Sequence, residues 1–348
     1  MAVITKTLFG STASGQEVYK LTLTNAAGAQ AGILTYGGTL QSLWVPDRDG
    51  RPEDVVLGYT SVEAYEKMGG YLGALIGRHA NRLSKARFEL GGKTYALNAN
   101  EGENQLHGGF LGYDKVIWQD EIRDGTLALT YFSPDGDERY PGNLKITVVY
   151  SLSDDNRLTI DYTAVSDADT VCNLTNHAYF NLGGFKSGSV LEHKLKLHAS
   201  FFTPADPESL PTGEILSVKG TPMDFTDFHA VGERIEQDYP QLLWAGGYDH
   251  NWVIDGKGLR LTAELVDEAS GRVMNTYTDL PGVQFYSGNF LDGNTLDGKE
   301  GASFGKRSGL CLETQFFPNS MERTHFPSPV LKAGETFHTV TVYEFKAK

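Results

Sequence analysis

The chain has 348 residues, enough for two ordinary domains or for one large all-β unit. Its 30 Lys and Arg stand against 44 Asp and Glu, a formal net charge of −14 that argues against nucleic acid or an anionic membrane surface as partner and suits a small neutral ligand. Two cysteines, Cys172 and Cys311, are too few for a disulfide framework and lack the spacing of a zinc site.

The first six residues, Met1 to Lys6, lack the apolar core of a signal peptide, and no apolar run approaches the roughly 20 residues needed to span a bilayer. The expectation is a protein of the reducing cytoplasm. The 40 glycines exceed the average usage of roughly 7 per cent and are scattered, as expected of many turns joining short strands. Asp-Gly pairs at 49–50, 124–125, 255–256, 292–293 and 297–298 favour tight turns.

In chain order, Ser61 to Lys67 reads as a short helix. Gly77-Arg78-His79-Ala80-Asn81-Arg82-Leu83 then sets three cations and an amide within five residues. Arginine forks and an amide can hold a polyol, although the same residues would also serve a solvated loop. Asn104-Gln105-Leu106-His107-Gly108-Gly109 places a histidine where glycines let the backbone approach a ligand.

Arg157 to Ala164 alternates, with apolar residues at even positions, as a half-buried strand should. Cys172 to Asn181, read as a strand, aligns Asn173, Thr175, His177, Tyr179 and Asn181 on one polar face with a histidine at its centre. Such a face without Lys or Glu to solvate it suits a carbohydrate cleft. Leu195 to Leu197 and Leu259 to Leu265 alternate again. Between them, Thr203 to Thr226 carries four prolines, an excursion over a rim, and Ala230 to Gln237 reads as a second short helix. Gly246 to Trp252 sets Asp249 beside aromatics, while Gln284, Phe285, Tyr286, Asn289 and Phe290 add an amide and more rings.

Near the end, Gly309 to Pro318 places Glu313 in the middle of a strand, sharing a face with Cys311, Gln315 and Phe317. A carboxylate there must reach solvent or face a polar pocket. Thr336 to Phe345 reads as one more strand. No linker, charge block or repeat divides residues 1–348, so the expectation is one antiparallel β-sandwich domain.

Taken together, Gly77 to Arg82, Asn104 to Gly109, Thr175 to Leu182, Tyr248-Asp249-His250 and Leu312-Glu313-Thr314-Gln315 resemble the aldose 1-epimerases, or galactose mutarotases, in order and over almost the whole chain. The resemblance implies an all-β supersandwich with few short helices and interconversion of the α and β anomers of free aldoses such as galactose and glucose. It implies Glu313 as the general base at the C1 hydroxyl and His177 as the general acid at the ring oxygen. Asn81, Arg82, His107, Asp249 and Gln284 match positions that contact sugar hydroxyls or the ring oxygen. No cofactor or metal is required, since one base and one acid suffice to open a hemiacetal.

A protonated His177 held by acidic neighbours, with Asp249 a candidate, is expected for that role. The expected assembly is a monomer or a weak homodimer. Open alternatives are a retaining glycosidase using Glu313 with Asp249, a non-catalytic sugar-binding module, a metal site from His107, His177 and Asp249, and an epimerase of hexose 6-phosphates.

Overall fold

In the computed structural model, which describes residues 1–293 and 297–348, the larger sheets are antiparallel. The largest has nine strands in the order Gln119–Arg123, Thr126–Ser133, Leu144–Leu152, Arg157–Ser166, Thr336–Ala347, Arg272–Thr278, Arg260–Val266, Lys194–Leu197 and His229–Ala230. The alternation of Arg157–Ser166 is realised: Leu158, Ile160, Tyr162 and Ala164 are buried. The Thr336–Ala347 strand completes the sheet centre, pairing with Arg157–Ser166 on one side and Arg272–Thr278 on the other. The strand in the 259–265 run starts only at Arg260, leaving Leu259 exposed in a bend, and a bulge between Leu261 and Ala263 interrupts the alternation, with Thr262 buried.

A five-stranded sheet, Val3–Ser11 to Pro52–Asp54 in chain order, packs on this large sheet. Leu21, Leu23, Leu43, Leu129, Val148 and Tyr343 belong to one buried cluster that runs from Ala2 to Phe345. Burying each such side chain is worth roughly 1.5–3 kcal/mol, more than the net value of one ladder hydrogen bond, so packing sets the registers.

The site is carried by another five-stranded sheet, in the order Leu216–Ser217, Phe201–Thr203, Asp249–Val253, Gly282–Tyr286 and Cys311–Gln315. Cross-strand partners Asn251, Gln284 and Glu313 form one row, and Asp249, Tyr286 and Cys311 the next. Period 2 therefore puts these six side chains on one face. Trp252, Phe285, Leu312 and Thr314 take the other face, toward the nine-stranded sheet. There Tyr343 donates to the Leu312 carbonyl at 3.2 Å and Thr314 Oγ1 meets Thr341 Oγ1 at 2.5 Å.

Helices are few, as expected. Val62–Met68 is capped by Ser61, whose hydroxyl accepts from Ala64 N at 3.2 Å. The helix expected over 230–237 does not form. Gly232 is pinned to the Leu191 carbonyl at 2.8 Å, and isolated turn bonds follow, Glu233 N to Ala230 O and Gln237 N to Arg234 O. The helix begins later, at Pro240–Ala245, with proline in its first turn and Gly246 closing it at φ 65°. The proline-rich excursion brings Pro207, Glu208 and Ser209 against Arg82 and Glu101. No helix among the described residues is long and apolar enough to cross a membrane.

Candidate active site

A cavity of about 370 Å³ opens on the polar face of the site-bearing sheet. The sheet supplies Asp249, Tyr286 and Glu313, and loops supply the rest of the wall. Asn81, Arg82 and His107 come from two loops joined by the short pairing of Arg82–Leu83 with Gln105–Leu106. Asn81 and His107 both hold left-handed backbone, φ 63° and 52°. They are tied to each other: Asn81 N donates to His107 Nδ1 at 3.2 Å, and His107 N to the Asn81 carbonyl at 3.3 Å. Such strain persists only where the surroundings over-determine it. Here Gly108 is the reason, since it sits at φ 87° and a Cβ on it would lie 1.9 Å from the Gly77 carbonyl oxygen.

His177 and Glu313 meet across this cavity. Nε2 of His177 is 3.6 Å from Oε1 of Glu313, and the two residues are 5 % and 2 % exposed. The other Glu313 oxygen is buried without a partner, a free acceptor. Burial, reinforced by the Asp249 carboxylate and opposed by Arg82, pushes Glu313 well above the usual carboxylate range. Tyr71, Tyr179 and Tyr286 ring His177, with Tyr179 nearest at 5.0 Å between centroids. Burial pushes His177 down to about 4. The expectation that Asp249 holds this ring protonated is thus corrected: desolvation dominates, and Asp249 instead accepts from Gln284 Nε2 at 2.8 Å.

Arg82 is clamped by Glu101, Nε to Oε2 at 2.7 Å and a terminal nitrogen to Oε1 at 2.8 Å. Burial lowers its basicity, but Asp249, Glu101 and Glu313 outweigh that and raise it. Gln284 does not line the cavity; it lies between Asp249 and Glu313 with its own oxygen buried and unpartnered.

His107, His177 and Glu313 offer ligand atoms within 4.8 Å of one another, with Glu313 in the place first given to Asp249. The geometry alone suits a metal ion, but the protons do not. The Nδ1 lone pair of His107 is taken by Asn81 N–H, so the neutral ring keeps its hydrogen on Nε2 and neither nitrogen has a lone pair to give.

A family model described as aldose 1-epimerase matches residues 19–344. The chain belongs to the aldose 1-epimerase family. It is 41% identical over 346 residues to galactose mutarotase of Bos taurus, covering 99% of each chain, and 38% identical over 339 residues to aldose 1-epimerase of Escherichia coli (strain K12), covering 96% and 97%. The crystal structure of galactose 1-epimerase from Lactobacillus acidophilus NCFM superposes with a TM-score of 0.87 at 28% identity, covering 100% and 99%. The protein is an isomerase that interconverts the α and β anomers of aldoses.

In this epimerase the cation cluster at 78–82 splits. Arg78 and His79 turn into the interior, neither to sugar nor to solvent; Arg78 donates to the carbonyls of Pro141 and Gly142 at 2.8 and 3.0 Å. The polar face expected over 172–181 splits too, because only Thr175–Asn176 is strand. Asn173 and Asn181 spend their amides on backbone carbonyls of Ala80, Phe316, Gly188 and Ser308, while His177 and Tyr179 reach the cavity. Sequence reasoning missed Tyr71 and Glu101 in the cavity wall. Tyr71 stands within the glycines at 69, 70 and 73, the one local signal available.

Proposed function

We propose that Glu313 and His177 carry out the anomeric interconversion of free aldohexoses, galactose and glucose among them, through the open-chain aldehyde. The observation that carries this is the 3.6 Å approach of His177 Nε2 to Glu313 Oε1 in one cavity. Glu313 takes the proton from O1, the C1–O1 bond becomes a carbonyl and C1–O5 breaks with its electron pair going to O5. O5 receives the Nε2 hydrogen of neutral His177, and the proton on Glu313 passes across the gap to Nε2. A buried neutral imidazole is a competent donor of this kind. The enzyme ends with the protons it began with, and after rotation about C1–C2 the same steps in reverse close the other anomer. Arg82 balances the charge developing on oxygen.

The spacing is closer than the width of a sugar ring, which suits two oxygens on one carbon better than two groups astride the ring. Asn81, His107 and Asp249 supply hydroxyl contacts in this reading, and Gln284 orients Asp249. The wall has one arginine, already held by Glu101, against the carboxylates of Asp249 and Glu313, which disfavours a phosphate dianion and hence a hexose 6-phosphate. All these residues belong to one chain, so a monomer or a weak homodimer is equally complete, and two buried free thiols fit a reducing cytoplasm. The test is polarimetry of freshly dissolved α-galactose and α-glucose. Glu313→Gln should slow the catalysed rate about 10²–10⁴-fold. An unchanged rate sinks the assignment.

A further inference from the structure

A neutral histidine can donate to the ring oxygen only if its hydrogen sits on the nitrogen that faces the substrate, so something must fix the tautomer. For His107 that is the backbone N–H of Asn81 on Nδ1. For His177 the group at Nδ1 is the thiol of Cys311, with Sγ 3.5 Å away. Cys311 stands two residues before Glu313 on the same strand and the same face, so one stretch of backbone addresses both sides of the imidazole. The thiol is fully buried. Burial first, then the carboxylates of Glu313 and Asp249, push it well above the ordinary thiol range, so it keeps its hydrogen and can donate. The ring's own backbone carbonyl, which accepts from Gly73 N at 3.0 Å and keeps a second lone pair, is the rival acceptor for a hydrogen on Nδ1, so the thiol must outcompete it.

We propose that Cys311 is a positioning residue whose S–H, donated to Nδ1, holds His177 as the Nε2–H tautomer with that hydrogen turned toward Glu313. The inference rests on the reading of His177 as donor at O5. With the hydrogen on Nδ1, a lone pair would face Glu313 and the ring would accept where it must give.

Long-range ¹H–¹⁵N correlation spectra of the full-length enzyme labelled with ¹⁵N-histidine read the tautomer directly, with His177→Gln identifying the His177 signals. Wild type should show Nδ1 bare and Nε2 protonated. Cys311→Ala should release the ring into a mixture and lower kcat about tenfold with KM nearly unchanged, whereas Cys311→Ser, which keeps a donor, should hold the tautomer and most of kcat. A wild-type His177 protonated on Nδ1 overturns the proposal, as does an Ala variant with tautomer and kcat both unmoved. If Cys311→Ala fails to fold, the wild-type spectrum decides alone. If the Ala variant loses the tautomer but not the rate, Cys311 still sets the ring and it is the donor role of His177 that fails.

Discussion

His177 owes its uncharged state to its surroundings: three tyrosines and a second histidine exclude water from it, and the cost of desolvating an imidazolium exceeds what its own backbone carbonyl returns. Glu313 is displaced in the opposite sense, toward holding its proton. The two shifts fix the sign of the pH dependence. The base form of Glu313 grows in as pH rises, so kcat/KM should rise along a limb lying above the ordinary carboxylate range. His177 is already neutral above about 4. No falling limb should therefore appear through pH 6 to 8, and a bell centred there in a pH series by polarimetry would show that an imidazolium is needed after all. At this scale the sequence was informative about which residues meet and silent about their charge. Glu313 betrayed itself as a carboxylate within a strand; nothing local to His177 revealed that Tyr71, over a hundred residues earlier, and Tyr286, over a hundred later, would dry its environment.

Elements divide by how they announce themselves. Strands with one buried face alternate openly, and Arg157–Ser166 and Lys194–Leu197 stand where their alternation puts them. The site-bearing strands are buried on both faces, so Cys311–Gln315 shows no exposed position, and its register was legible only through the identity of Glu313. The segment 230–237 misled because its helical spacing is overridden by the tertiary bond of Gly232 to Leu191, which no local pattern records. The loops holding Asn81 and His107 depend on close backbone approach at Gly108. Gly108→Ala places a methyl in backbone at a positive φ, and should destabilise by about 1–3 kcal/mol and lower activity beyond that loss. Thermal melts alongside polarimetry separate the two effects; a variant with wild-type melting and activity would refute this account of the loops.

Across the whole molecule, buried neutral histidines recur as acceptors of backbone N–H: His107 from Asn81, His193 from Leu182 at 2.9 Å, and His250 from Asp249 at 3.1 Å. Burial holds His79 and His193 at about 4 and His250 at about 3, against 6.5 when unfolded. Between those values the unfolded chain binds more protons, so stability present at neutral pH is lost as pH falls from 6.5 toward 4. Burial lowers His107 and His177 in the same sense, while Asp114, raised to about 6, and the raised Asp249 and Glu313 run the other way and gain stability for the fold as they protonate, three carboxyls against five histidines. Unfolding free energy from urea titration should drop between pH 7.5 and 5, each such ring contributing about 2 kcal/mol and the carboxyls opposing it, and His193→Gln should flatten the slope. A flat profile would mean that these rings titrate normally. None of this was visible in composition, which counts nine histidines without saying which are dry.

The sheet row Asn251, Gln284, Glu313 and its neighbour Asp249, Tyr286, Cys311 have a consequence for how such a protein can change. The chemical groups share strands with Trp252, Phe285 and Leu312, so slipping any of the strands by one residue would bury charge and expose core together. Glu313 and Asp249 are therefore tied to the register of the fold, whereas His177 stands just outside these strands, after Thr175–Asn176. The loop-borne wall, Tyr71, Arg82 with Glu101, and His107, is not bound by strand register, and under the proposed sugar contacts substrate preference is expected to drift there while the reaction stays the same.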